Sequence, residues 1–221
     1  DKEGFCSVIM EGRGIPAKGA FPGSFSYGND AVETVSYDPE EAKKLLEESG
    51  WTDTDGDGYV DKDGQKLTIN WLTYPTRLEQ PKLAEYAQAT LKEIGIDVSV
   101  NNTSDHRTYA ENGEFDVYVS STTTAPTGDP EYFFTSTVVG SKNYGNYQNE
   151  EVTKLTEQLH QTFDKDERGK LATELQQDIL DDDAFFFVSH LNMGIVTKSN
   201  VTGMAAHPCD YYEITADLDV E

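Results

Sequence analysis

Oxygen donors at alternate positions give this sequence its most metal-like spacing. In DTDGDGYVDKDG, Asp53, Asp55 and Asp57 stand two apart, Gly58 permits a sharp turn, Tyr59 would offer a backbone carbonyl and Asp61 follows. Hard oxygen ligands at this spacing suit calcium and fill the first nine positions of an EF-hand-type loop. The twelfth position, where a bidentate Glu belongs, holds Gly64, and a strand rather than a helix follows. A full EF-hand is excluded. Two readings stay open for residues 53–61: a turn stabilised by Ca2+, and an acidic hairpin loop built by Asp and Gly with no ion.

The second candidate is GEFDVYVSSTTTAPTGDPEYFF, residues 113–134. Phe115, Val117 and Val119 alternate with polar residues and read as a strand. A hydroxyl run from Ser120 to Thr124 follows, and Pro126, Gly128 and Pro130 turn the chain. Asp129, Pro130 and Glu131 then read as a helix start with Asp129 as the cap. Strand, polar loop and helix start are where α/β proteins hold ligands. Thr122, Thr123, Thr124 and Thr127 are therefore candidate hydrogen-bonding contacts, although a wet surface loop has the same composition. Tyr144 and Tyr147, in SKNYGNYQN, are candidate pocket walls or surface packing residues. His190 leaves an apolar run and is a candidate ligand contact.

The other histidines are His106, His160 and His207, scattered singly. Cys6 and Cys209 lie at opposite ends of the sequence and belong to no CxxC pair. They form either a disulfide stapling the ends or two buried thiols. No nucleophile elbow, Walker loop, dinucleotide turn or HExxH helix is present, and no acid stands in an apolar setting that would tune it for acid–base work. No enzyme is expected. A formal charge of -24, from 41 acids against 17 bases, makes nucleic acid and anionic membranes poor partners.

The elements that must position these residues follow from periodicity and caps. The 221 residues suffice for one good core and at most two small domains. The chain begins at Asp1 and reads as an excised piece of a longer polypeptide. A short helix is expected within 1–12, then an irregular Gly/Pro-rich segment over 12–29. A helix over 38–49 has Asp38 as cap, Pro39 first, Glu41 for a capping box, Ala42, Leu45 and Leu46 inside, and Gly50 as its stop. A strand from Leu67, a helix carrying Leu83, Ala87 and Leu91, and a strand with Ile96, Val98 and Val100 form a βαβ crossover. A short helix spans 105–112. Two long helices follow, the first capped by Asn149 with Val152, Leu155, Leu159 and Phe163 inside, the second capped by Asp164 with Glu167 and with Leu171, Leu175 and Ile179 inside. Ala184–Val188 reads as a buried strand, Leu191–Lys198 as its neighbour, and YYEITADLDV as the last strand. The fold class is α/β, a mixed, mostly parallel sheet flanked by helices, with one domain over 1–221.

Several stretches together resemble the extracellular solute-binding proteins of ABC importers, the large family for peptides, nickel chelates and similar solutes. They are YDPEEAKKLLEESGW at 37–51, DTDGDGYVDKDGQKL at 53–67, GEFDVYV, GDPEYFF, NYGNYQNEEV, DERGKLATELQQDILDDDAFFFVSH, and VTGM at 201–204. The resemblance implies a periplasmic-binding-protein-like lobe, the C-terminal one of a two-lobed receptor, family 5, with the N-terminal lobe outside this sequence. It implies hinge closure on a small solute, a nickel complex or an oligopeptide, and delivery to an ABC permease. No catalysis and no required cofactor are implied, and the location would be extracytoplasmic, periplasmic or as a cell-surface lipoprotein. Peptide binders of the family carry a Trp and then an Asp before the Asp-Pro, where Thr123 and Pro126 stand here. The ion pair to a peptide amino terminus is then not available from this lobe. The pairs Ala125-Pro126 and Asp129-Pro130 are similar to the nickel branch. The aromatic residue and the histidine that branch can carry are replaced by Thr124 or Thr123 and by Lys142 or Asn143. The alternative reading is a calcium-stabilised extracellular structural or adhesive domain.

Overall fold

This computed structural model describes residues 1–209 and 214–220. The chain divides into two compact units, Asp1–Gly12 with Val35–Ser121, and Arg13–Thr34 with Thr122–Glu221. The strands, in chain order, are β1 (Gly14–Pro16), β2 (Asp61–Lys62), β3 (Gln65–Lys66), β4 (Thr68–Thr73), β5 (Asp97–Asn102), β6 (Val117–Tyr118), β7 (Ser189–Leu191), β8 (Val201–Thr202) and β9 (Asp219–Val220). The helices longer than one turn are α1 (Pro39–Glu48), α2 (Glu79–Lys92), α3 (His106–Glu111), α4 (Glu150–Gln161) and α5 (Lys165–Asp181).

The first unit is built on a parallel sheet of order β5-β4-β6. Alternation puts Ile69, Trp71 and Val98 on one face, and Leu83, Ala84, Ala87 and Leu91 of α2 close over them. This is the expected βαβ crossover. Gly95 ends it at φ 80, a conformation that favours glycine, and Val60 Cγ1 would sit 3.0 Å from an added Cβ. α1 is capped as its sequence predicts, with Asp38 Oδ1 accepting the Glu41 N–H at 3.0 Å and Gly50 at φ 84 after its end. Its inner face is thinner than expected, because Leu45 is exposed and only Ala42 and Leu46 are half-buried. At the N-terminus a single α turn, Lys2–Gly4, widens into a π turn, Phe5–Ile9, which buries Phe5 and Cys6.

The second unit packs α4 against α5 over an aromatic core. Asn149 accepts the N–H groups of Glu151 and Val152, and Asp164 those of Asp166 and Glu167, so both predicted caps form. Val152, Leu155, Leu159, Leu171, Leu175 and Ile179 are buried as expected. Phe163 is not: it is 92% exposed, because α4 stops at Gln161 and Thr162 turns extended, which takes the next side chain off the inner stripe. The irregular Gly/Pro segment contributes Ala20, Phe21 and Tyr27 to this core. It also supplies β1, which pairs antiparallel with β7.

Ala184–Val188 is not a strand. Phe185 and Phe187 pack on the core while Phe186 faces solvent, an alternation that extended backbone gives without a paired neighbour. Strand pairing begins at Ser189 and stops at Leu191, so 192–198 forms no strand. Of the expected last strand, residues 211–213 lie outside the described residues, and β9 pairs with β8. Cys6 and Cys209 are both free thiols, so the disulfide alternative is not realised. No helix among the described residues is long and apolar enough to cross a membrane.

Burial separates two apolar positions that look alike in sequence. Leu175→Ala should lower the urea-unfolding free energy by about 2–5 kcal/mol. Phe163→Ala, at an exposed site, should stay within about 0.5 kcal/mol of the parent in the same titration.

Candidate functional site

In the first unit, β4 is followed by β5 on one side and by β6 on the other. The connections reverse between β4 and β6, and the crevice beyond the carboxyl ends of such strands is where open α/β sheets hold ligands. Thr73 and Tyr74 end β4, Glu79 and Gln80 open α2, His106 opens α3, and Ser121 lies just past β6. The Ser121 N–H donates to the Tyr74 hydroxyl at 3.1 Å, and its Oγ donates to Glu79 Oε1 at 3.0 Å. Gln80 Nε2 donates to Ser121 Oγ at 2.7 Å. The His106 ring stacks on Tyr74 with centroids 4.1 Å apart, and its Nδ1 lies 2.7 Å from the Tyr118 hydroxyl. Burial, then the nearby Arg107, holds the His106 pKa below its usual range.

Two buried polar atoms there, Thr73 Oγ1 and Gln80 Oε1, lack a hydrogen-bond partner. Buried groups normally find one, and both atoms are shut off from solvent. Sequence reasoning missed Tyr74, Gln80, His106 and Ser121. The available signal was positional: Tyr74 and Gln80 follow or open elements of the predicted βαβ unit, His106 opens the short helix after it, and Ser121 follows the next strand.

The threonine loop belongs to the second unit. Thr122, Thr123 and Thr127 are exposed and Thr124 is half-buried, whereas Ala125 and Pro126 face inward. The Gly128 N–H closes a turn onto the Ala125 carbonyl at 3.0 Å, and Gly128 takes φ 79. Asp129 accepts the Glu131 N–H at 2.9 Å, but the helix after it spans only Glu131–Phe133 before widening into the π turn Phe134–Val138. The expected helix start is therefore a single turn.

Tyr144 is half-buried. Tyr147 is used structurally: its hydroxyl donates to Asp182 Oδ2 at 2.6 Å and its ring meets Phe185 edge-on. Burial, reinforced by Asp182, raises its pKa. His190 sits in β7 opposite Ile15, with Nε2 3.1 Å from Asn29 Oδ1. The same oxygen accepts the Lys18 N–H, so His190 donates there and props the Gly/Pro segment.

In the acidic turn, carboxylate oxygens of Asp53, Asp55 and Asp61 come within 4.8 Å of one another. Asp57 leaves that set and pairs with Lys66 Nζ at 2.6 Å, a contact that holds its carboxyl below the ordinary range. Tyr59 lies under the same ammonium, 4.2 Å from its ring centroid. Asp53 accepts the N–H groups of Gly56 and Gly58, and Asp61 accepts the N–H and the hydroxyl of Thr54. The turn thus has internal partners for its acids, as the ion-free hairpin reading expects.

Residues 1–145 match the model of the bacterial extracellular solute-binding proteins, family 5, middle region. The chain belongs to this family. Among curated relatives it is 29% identical to the oligopeptide-binding protein AppA of Bacillus subtilis, with 97% of this chain aligned to 41% of that protein. It is 26% identical to the nickel-binding protein NikA of Staphylococcus aureus, with 100% of this chain aligned to 43% of that one. The chain thus spans about two fifths of these relatives. Among solved structures, AppA in complex with a nonapeptide superposes with a TM-score of 0.77 at 26% identity, covering 95% of this chain and 43% of that one. A nickel ABC transporter structure from Bacillus halodurans gives 0.78 at 27% identity, covering 100% of this chain and 46% of that one. The family 5 relatives are solute-binding proteins rather than enzymes, and the α/β fold, periplasmic-binding-protein-like, is shared with them.

The burial of His190 makes a pH prediction. Desolvation pushes its pKa down from 6.5 to about 4, so the unfolded chain binds this proton more readily than the folded one. The contribution is complete above the unfolded value and is lost as pH falls toward the folded one. Melting temperatures followed from pH 7 down to about 4.5 should fall more steeply for the parent than for His190→Asn.

Proposed function

We propose that the 221 residues form the C-terminal lobe of a two-lobed receptor for an ABC importer, working outside the cytoplasm as a periplasmic protein or cell-surface lipoprotein. The observation that carries this reading is the family match together with alignment of nearly the whole chain to under half of each relative. The partner lobe would then lie in the remaining sequence, and an ABC permease in the membrane would receive the solute. Nucleic acid has no part in it. Hinge closure is the mechanism, because one lobe offers a surface rather than an enclosed cavity. No cofactor is needed for that role.

The solute is a nickel complex or an oligopeptide, the two classes bound by the named relatives. Thr122, Thr123, Thr124 and Thr127 offer hydroxyls and Tyr144 a wall; Tyr147 and His190 contribute by holding the side chains of Asp182 and Asn29. With no carboxylate at Thr123 or Pro126 and no imidazole at Lys142 or Asn143, a metal would arrive already chelated. The calcium-dependent adhesive alternative finds no support among the relatives. Calcium enters only as a stabiliser of the turn at Asp53, Asp55 and Asp61, and a melting temperature indifferent to calcium and EDTA would remove it.

Calorimetric titration with a nickel(II)–histidine complex and with a short oligopeptide should show no sub-micromolar binding to this chain alone, since only one face of the clamp is present. Native mass spectrometry of the longer parent protein should show one of these two solute classes co-purifying. Tight binding by the isolated chain would overturn the two-lobed reading.

A further inference from the structure

Arg168 of α5 uses every N–H group it has. Nε and Nη2 grip the two Asp129 oxygens at 2.9 and 2.6 Å, a bidentate fork. Nη2 also donates to Glu131 Oε2 at 2.9 Å, and Nη1 donates to the carbonyls of Leu159 and Thr162, each at 2.6 Å. The Arg168 side chain is only 14% exposed, and the five guanidinium donors are all satisfied. It thereby ties three segments together: the last turn of α4, α5, and the Asp129-Pro130 turn.

That turn immediately follows the threonine loop. It is also supported from the Gly/Pro segment, where the Tyr27 hydroxyl donates to the Gly128 carbonyl at 2.8 Å. The far side of Glu131 is held by His160 Nδ1 at 2.6 Å, on an imidazole that is 72% exposed. Despite the cost of burial, Arg168 and His160 together hold the Glu131 carboxyl below its ordinary range. The loop has no regular structure: Ala125 and Pro126 turn inward, and Thr122, Thr123 and Thr127 are exposed.

We propose that Arg168 is the positioning residue of the solute loop: it touches no solute, and through Asp129 it sets where Thr122, Thr123, Thr124 and Thr127 point. This rests on the reading of those threonines as solute contacts. A lysine would keep the charge but not the fork, so the assignment turns on geometry rather than on charge alone.

The test needs no solute and so fails or succeeds separately from the solute reading. Backbone 15N order parameters of Thr122–Gly128 are measured in the parent, Arg168→Lys, Asp129→Asn and the double variant. The parent loop should read near the rigid value of about 0.85, and each single variant should fall toward about 0.6 while α4 and α5 stay rigid. The double variant should be no looser than either single one, because both act on the same contact. His160→Gln, which cuts only the exposed arm, should leave the loop unchanged. Asp129→Asn preserves side-chain shape and serves if Arg168→Lys does not fold. A loop equally ordered in parent and variants, or one that loosens only together with α4 and α5, would overturn the proposal.

Discussion

Irregular backbone can be buried only if its N–H and C=O groups find partners, and the second unit depends on how that demand is met. The Gly/Pro segment sends Phe21 and Tyr27 into the core without forming a helix or a long strand. Gln176, itself fully buried in α5, accepts the Ala20 N–H at 3.0 Å and donates to the Tyr27 carbonyl at 2.7 Å. Asn29 accepts the Lys18 N–H and donates to the Pro16 carbonyl. A buried amide left without these partners costs about 1–3 kcal/mol, so the two side chains stand in for the ladder that regular structure would supply. Phe21 then meets Tyr27 and Phe133 edge-on, which continues the core into the segment beyond the threonine loop.

The first unit solves a different problem. Parallel strands need a long crossover, and α2 supplies it while covering the apolar face of β4 and β5. Because β6 adds on the opposite side of β4, the connections part at one end of the sheet. Polar side chains collect there: Glu79, Gln80 and Ser121 bond one another, and His106 lies on Tyr74. This polar end follows from topology.

Acids are abundant, yet those near the candidate site are committed: Asp129 and Glu131 to Arg168, Asp182 to Tyr147 and Asn149. The surplus negative charge lies on helix exteriors and in the acidic turn, where it serves solubility.

Local chemistry by itself determined the capped helices, the βαβ crossover and the family. A cap, a stop glycine or a 3.6-residue stripe is written within a few neighbouring residues, so Asp38, Asn149, Asp164 and Gly50 could be read directly. The stripe also set the inner faces of α4 and α5 up to the last helical residue, and it failed at Phe163, one residue past an extended Thr162. Strand assignments were weaker. AFFFV is apolar enough for a strand, but pairing is a property of two segments: β1, which lies in a glycine-rich run, pairs with Ser189–Leu191 just after it. Only the tertiary structure decided which polar residues meet across the chain: Arg168 and Asp129 are 39 residues apart, and Gln176 and Tyr27 are 149 apart. Nothing in a single sequence encodes such partners, because packing brings them together and the cost of burying an unpaired polar group then selects them.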